Sequence, residues 1–347
     1  MKNSIQALNY SAHAIADLAQ RAREVRGKAP VTASVIDQLI VLLRDSVKFI
    51  LPNRCELLDS GTLRQAHLEL VRLPYPVVAF EAPWASESVE ERIGDHAMTK
   101  SSKRIALCFE ARRDMELLPG MNDVLDHPKF AAGGVFVVAI SYIDSDDKWQ
   151  VAPGAAFLGY GTQLQKSTES PEAGLGFEHE ASDRYISGLM EAGLVRKNAA
   201  KFLMEAVVLL PEIYSGLLMI DGDEVKTRTR LYVDTRDEVM TLVQACAVIN
   251  CQNVASLDVP APAALNKKRL AKGKVPFFSY KVLQLSDDLK PLPGAAQGGT
   301  HASPRMHLRR GHLRSLDSDR RVWVRPAIVN AGSDKGVADK DYGVLAR

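Results

Sequence analysis

Paired cysteines are missing from this chain. Only four of its 347 residues are cysteine, and Cys55, Cys108, Cys246 and Cys251 form no C-x-x-C pair. A structural zinc site draws on such pairs, so none is expected. Three of the four lie in apolar runs, where a free thiol behaves as a small core hydrophobe. That usage fits a reducing compartment. Long hydrophobic runs are missing too. No apolar stretch reaches the roughly 20 residues that span a bilayer. The first residues, Met1-Lys2-Asn3-Ser4, lead into an amphipathic stretch and not into the apolar core of a signal peptide. The expectation is a soluble, cytoplasmic protein.

The phosphate-binding motifs are absent as well. Residues 159–176 are rich in Gly, Ser and Glu but lack G-x-G-x-x-G, which excludes a dinucleotide site there. Residues 266–274 are Lys-rich but lack the first Gly and the closing Ser/Thr of a P-loop. Glu178-His179-Glu180 with Asp183 falls short of H-E-x-x-H, because position 183 is not His. Acidic residues in a helix's first turn suit the macrodipole. No cofactor is expected.

Net charge is small, +2, but it is unevenly placed. Residues 263–347 hold 17 Lys and Arg against 7 Asp and Glu, and residues 1–262 hold 27 against 35. A mildly acidic body thus carries a basic C-terminal quarter. Such asymmetry points to a polyanionic partner, or to a basic module docked on its own acidic body.

The apolar fraction of 46% and charged fraction of 25% are those of an ordinary folded protein. Helical spacing runs through Ile5, Leu8, Ala12, Ile15, Leu18 and Ala19, and again through Val35, Ile36, Leu39, Ile40, Leu43, Val47 and Ile50. The spacing predicts two helices over 4–25 and 33–50, separated at Ala29-Pro30. The second is apolar around much of its surface. It either packs on the body or serves, through residues 4–50, as a homo-oligomer contact. Short Val-, Ile- and Phe-rich runs at 68–73, 76–80, 104–109 and 135–143 predict strands. Asp144-Ser145-Asp146-Asp147 predicts a turn into a further strand at 149–158. Residues 197–210 predict a core helix that Pro211 ends. A strand over 227–233 and a helix over 237–246 complete the body, and a strand over 277–285 follows in the basic quarter. Two strands end in Phe-Glu, at Glu81 and Glu110. Were they neighbours, two carboxylates could hold a divalent cation for phosphodiester hydrolysis.

The basic quarter begins after Pro260-Ala261-Pro262. Lys267, Lys268, Arg269, Lys272 and Lys274 make one cationic segment, suited to tracking a nucleic-acid backbone. Residues 301–326, HASPRMHLRRGHLRSLDSDRRVWVRP, hold seven arginines and three histidines. Alternation at 305–309 and 321–325 predicts a β-hairpin with Gly311 at a bend. Arg305, Arg309, Arg310 and Arg314, with Arg321 and Arg325, supply guanidinium forks for phosphate. Trp323 shares a face with Arg321 and Arg325 and is placed to stack on a base. His307 and His312 are the candidate acid and base of a metal-free nuclease.

The pattern H-x-R-R-G-H-x-R at 307–314, then R-V-W-V-R-P at 321–326, resembles the C-terminal signature of a group of uncharacterised phage and prophage proteins. The runs INCQNV at 249–254 and KGKVPFFSY at 272–280 belong to the same likeness, which covers about the last hundred residues. It implies a mobile-element origin and a bacterial cytoplasm, and it carries no activity with it.

Together these readings predict an α+β protein. It has a helical hairpin (1–52), an α+β body with a mostly antiparallel sheet and covering helices (53–260), and a basic β-rich module (261–347). The leading functional expectation is nucleic-acid binding through the basic quarter, with DNA or RNA as partner. The alternatives are a nuclease, using His307 and His312 or Glu81 and Glu110, and a factor that binds a host or phage protein, such as an inhibitor of host defence. No membrane partner is expected.

Overall fold

The computed structural model describes residues 7–58, 63–85, 92–93, 96–97, 99–165, 201–202, 204–251, 253–285, 306–309, 312–315, 321–324, 327–329 and 337–338. The α+β expectation holds. The two N-terminal helices are α1 (Tyr10–Val25) and α2 (Pro30–Asp45). Pro30 sits at the start of α2, where its missing N–H costs no hydrogen bond.

The centre is an eight-stranded mixed sheet. Its strands are β1 (Val47–Ile50), β2 (Val77–Pro83), β3 (Ser101–Ala111), β4 (Gly134–Ile143), β5 (Lys148–Gly159), β6 (Glu205–Val208), β7 (Val254–Val259) and β8 (Tyr280–Leu285). The spatial order is β6-β5-β4-β3-β2-β1-β8-β7. β1 runs parallel to both β2 and β8, and the remaining pairings are antiparallel.

Alternation along the strands divides the core in two. Ile105, Leu107 and Phe109 face α1 and α2, where they meet Ile15, Leu18, Ile36, Leu39 and Leu43. Ala106 and Cys108 face the opposite side, against a long helix, α5 (Glu224–Ile249), through Val239, Leu242, Val243 and Cys246. Phe136 and Phe157 lie 4.9 Å apart between ring centroids, and Phe130 closes on Phe157 at 5.0 Å. Fully burying a side chain of this size contributes roughly 1.5–3 kcal/mol. α5 approaches β5 closely because residue 154 is Gly. A Cβ there would stand 2.8 Å from the Leu231 side chain.

The breadth of apolar surface on α2 is used inside the chain, by α1 and the sheet. Val31 and Val41 remain outward. Among the described residues no helix is long and apolar enough to cross a membrane.

Several expected elements differ. Residues 47–50 are strand, not the end of a helix, because they pair with β2 and β8. Residues 65–69 form a short helix, α3 (Gln65–Glu69), and no strand follows before β2. The expected helix before Pro211 is replaced by β6, an edge strand on β5. Proline disfavours α geometry in the residue before it, and Leu210 is accordingly non-helical. Pro211 opens a helix, α4 (Pro211–Asp221), where it was expected to end one. Residues 227–233 belong to α5, not to a strand. Packing of α5 on the sheet overrides the β preference of this short run, and Thr227 satisfies its hydroxyl on the Asp223 carbonyl four residues earlier.

The expected boundary at residues 260/261 is crossed by the sheet. β8, from the basic quarter, lies between β1 and β7. The boundary at 52/53 is crossed as well, since β1 joins β2 and α1 and α2 cover the same sheet. The C-terminal hairpin also differs from expectation. His312–Ser315 pairs with Arg321–Val324, while Met306–Arg309 pairs with Ala327–Val329 and Val337–Ala338.

Candidate nucleic-acid interface

The basic segment is positioned by a buried polar anchor at the first turn of α1. Glu81, near the end of β2, is fully buried. Its carboxylate accepts from the backbone N–H of Tyr10 at 3.0 Å and of Ser11 at 2.9 Å. It also accepts from Ser11 Oγ at 2.5 Å and from the Tyr280 hydroxyl at 2.9 and 3.0 Å. One side chain thereby satisfies α1's first N–H groups and ties α1, β2 and β8 together. Burial pushes its carboxyl above the usual range, against the opposing pull of the hydrogen bonds from Ser11, Tyr280 and Tyr10. The Tyr280 hydroxyl, buried beside this carboxyl, is raised as well.

Lys48 on β1 makes the second tie. Its ammonium donates to the carbonyls of Arg44 and Ser46, each at 2.7 Å, at the C-terminal end of α2. It also stands 3.9 Å from the centre of the Phe278 ring. Burial pulls its pKa down to about 8, although Glu81 and Asp45 favour its charged form.

On this frame lies the cationic segment. Lys267, Lys268 and Arg269 occupy the last turn of a helix, α6 (Ala263–Leu270), where positive charge suits the dipole. Gly273 follows with φ +64°, a left-handed conformation that glycine adopts without strain and that turns the chain. Two clamps fix this unit. Asn266 Nδ2 donates to the Phe277 carbonyl at 2.8 Å, and the Phe277 N–H donates to Asn266 Oδ1 at 2.7 Å. Arg269 Nε donates to the Val275 carbonyl at 2.7 Å, and its guanidinium lies 3.9 Å from the Phe277 ring centre.

The five cations of the segment therefore divide. Arg269 is spent inside the fold. Lys267, Lys268, Lys272 and Lys274 are exposed, and none has an ion-pair partner among the described residues. By contrast Lys281, on β8, is held by Asp258 at 2.7 Å.

The two carboxylates proposed as a metal pair are not brought together. β2 and β3 are antiparallel, with Glu81 opposite Ile105 and Val77 opposite Phe109. Matching Phe-Glu ends on antiparallel neighbours fall at opposite edges of the sheet. Five residues of strand separate Ile105 from Glu110, about 17 Å. The faces differ too. Glu81 meets α1, whereas Glu110 meets the Tyr160 hydroxyl at 3.1 Å and Arg112 at 3.9 Å. Among the described residues no cluster of three or more His, Cys, Asp or Glu side chains is arranged to hold a metal ion.

His307 and His312 lie on strands of separate small sheets. Arg309, Arg314, Arg321 and Trp323 lie on described strands, but their side chains fall outside the described residues, as do Arg305, Arg310 and Arg325 entirely. Glu178, His179, Glu180 and Asp183 fall outside them as well. All four cysteines are buried, and none of them forms a disulfide among the described residues.

Sequence reasoning missed the anchors, Tyr280 and Lys48, because their roles depend on strand pairing. It also missed a half-buried ionic cluster between β3 and α5. There Arg104 pairs with Asp237 at 3.1 Å and Glu238 at 3.3 Å, under the ring of Trp84. Burial raises Glu238 to about 7, more than Arg104 lowers it. Asn266, in the middle of α6, was not singled out from the sequence either, because its clamp depends on Phe277 folding back onto the helix.

No family model, no curated protein and no solved structure matches this chain.

Proposed function

We propose that this protein binds nucleic acid through the basic segment at residues 263–274, continued by the Arg-rich strands beyond residue 305. The observation that carries the reading is the set of exposed lysines, Lys267, Lys268, Lys272 and Lys274, left without carboxylate partners among the described residues. They are displayed on a helix and turn that Asn266 and Arg269 hold rigidly. A rigidly held row of exposed ammonium groups suits phosphates spaced along a backbone, whose counterions are released on contact. The row reads charge and carries no base-specific geometry, so binding is expected to tolerate many sequences. The C-terminal motif's likeness to phage and prophage proteins supports a mobile-element origin, and the buried free thiols support a reducing cytoplasm.

The test is fluorescence anisotropy of labelled duplex DNA, single-stranded DNA and RNA at low salt, with EDTA present. Saturable binding of at least one polymer is expected. Failure to bind any of them rejects the proposal.

A further inference from the structure

The eight-stranded sheet ends at β7 with its outer edge open. β7 pairs with β8 in an unbroken antiparallel register from Val254↔Leu285 to Val259↔Tyr280, and among the described residues no strand lies on its other side. Alternate residues of such a strand point their N–H and C=O groups outward, where another strand can take them up. Sheet edges are commonly protected by lysine, proline, a bulge or a short length. β7 has six residues, none of them lysine or proline, and no register shift. Ala255, Ser256, Leu257 and Asp258 are exposed, Leu257 at 46%. The single charge of the strand is already answered, because Asp258 lies opposite Lys281 on β8 and accepts from its ammonium at 2.7 Å. The edge therefore offers backbone hydrogen bonds and no unanswered charge that would repel an identical strand. We infer that β7 pairs antiparallel with β7 of a second copy of this chain, about a twofold axis normal to the sheet, so that two eight-stranded sheets become one. This surface stands independently of nucleic-acid binding.

The side chains choose the register. Opposite residues of an antiparallel pair project from the same face, so a twofold axis normal to the sheet passes at the level of a residue and not between two. With Leu257 on the axis, it meets Leu257 of the second copy. Val282, its partner on β8, flanks it on each side, so an apolar stripe crosses the join on that face. On the other face Asp258 meets Ser256 of the second copy, whose hydroxyl can donate to the carboxylate while Lys281 stays beside it. With Ser256 on the axis, Asp258 would instead meet Val254, and Leu257 would meet Ala255. The first register gives the carboxylate a donor and the leucine an apolar partner of its own size. A closed twofold pairing of this kind uses one surface patch on both copies and leaves no further edge to propagate from β7.

The experiment is sedimentation equilibrium of the full-length protein, free of nucleic acid, over a roughly hundredfold range of concentration. Twice the chain mass is expected at the upper end. Leu257→Lys sets two ammonium groups against each other on the axis. It should weaken the dimer by about tenfold or more and leave the melting temperature unchanged, since this side chain stands outside the core. Leu257→Cys should cross-link two chains under mild oxidation, because the paired residues have Cα atoms about 4.5–5.5 Å apart, within disulfide reach. Leu265→Cys, similarly exposed on α6, should not. The four native cysteines are buried and do not compete. Monomer at every concentration overturns the inference. So does a dimer whose strength Leu257→Lys leaves unchanged, or one in which Leu257→Cys cross-links no more than Leu265→Cys, since it then joins through another surface.

Discussion

Replacing Glu81 with alanine removes the acceptor that serves four donors: the Tyr10 and Ser11 N–H groups, Ser11 Oγ and the Tyr280 hydroxyl. Ser11 and Tyr280 are fully buried, so their groups have no ready substitute in solvent. A buried donor left unpaired costs about 1–3 kcal/mol. Water entering the vacated space recovers part of this, and the carboxylate's own desolvation cost disappears. The expected net loss is about 2–4 kcal/mol, on the order of one or two unpaired neutral donors after these offsets. Urea unfolding followed by far-UV circular dichroism at pH 7 measures it. Glu81→Gln, which keeps one acceptor oxygen, should lose less. The pH dependence has a definite sign. The folded carboxyl titrates above its ordinary value of 4.5, so the folded state holds its proton more tightly than the unfolded chain. The proton-linked part of Glu81's contribution is fully present below pH 4.5 and is lost as pH rises through the folded pKa, while the hydrogen bonds it accepts persist. The difference between wild type and Glu81→Gln should follow that curve. A loss under about 1 kcal/mol for Glu81→Ala would refute the claim that this carboxylate joins α1 to the sheet.

Lys48 carries the opposite slope. Its folded pKa near 8 lies below the ordinary 10.5, so the unfolded chain binds the extra proton between those values and stability should rise with pH across that window. The full change is about 3 kcal/mol at roughly 1.4 kcal/mol per unit, and Lys48→Met should abolish it in pH-dependent urea titrations. An unchanged slope would contradict the burial assigned to this ammonium. Gly154→Val should destabilise the fold by about 1–3 kcal/mol through overpacking of α5 on β5, read as a lowered melting temperature, while Gly216→Ala on α4, where a Cβ meets nothing within 4 Å, should leave it unchanged or raise it slightly. Equal melting temperatures for wild type and Gly154→Val would mean that the helix does not rest on the strand as described.

The α1–α2 hairpin was legible in the sequence because its apolar residues recur at three- and four-residue intervals and Ala29-Pro30 separates the two runs. The strands β2 to β5 were legible because Val, Ile and Phe cluster between turn residues. Residues 205–208 and 227–233 were misread for a common reason. Short apolar or β-branched runs fit either periodicity, and tertiary partners decide between them: β5 in one case and the sheet face under α5 in the other. Strand pairing was invisible. The two Phe-Glu endings suggested a carboxylate pair, and only the antiparallel register shows them at opposite edges. The same applies to β8, whose place between β1 and β7 merges the basic quarter with the body. Of the candidate site, the cationic run was plain from composition. Arg269's internal role was not, because it depends on Phe277 and Val275 folding back over it.

The central claim is tested most directly by charge reversal read through salt dependence. Affinity for a 20-base-pair duplex, measured from 50 to 300 mM salt, should fall linearly on logarithmic axes. Each phosphate contact contributes a slope of about −0.9 on duplex DNA. Lys267→Glu with Lys268→Glu should weaken binding at 100 mM salt by at least tenfold and reduce the slope by about 2, leaving the melting temperature unchanged, since both side chains are exposed. A variant that binds with wild-type affinity and wild-type slope would contradict the account.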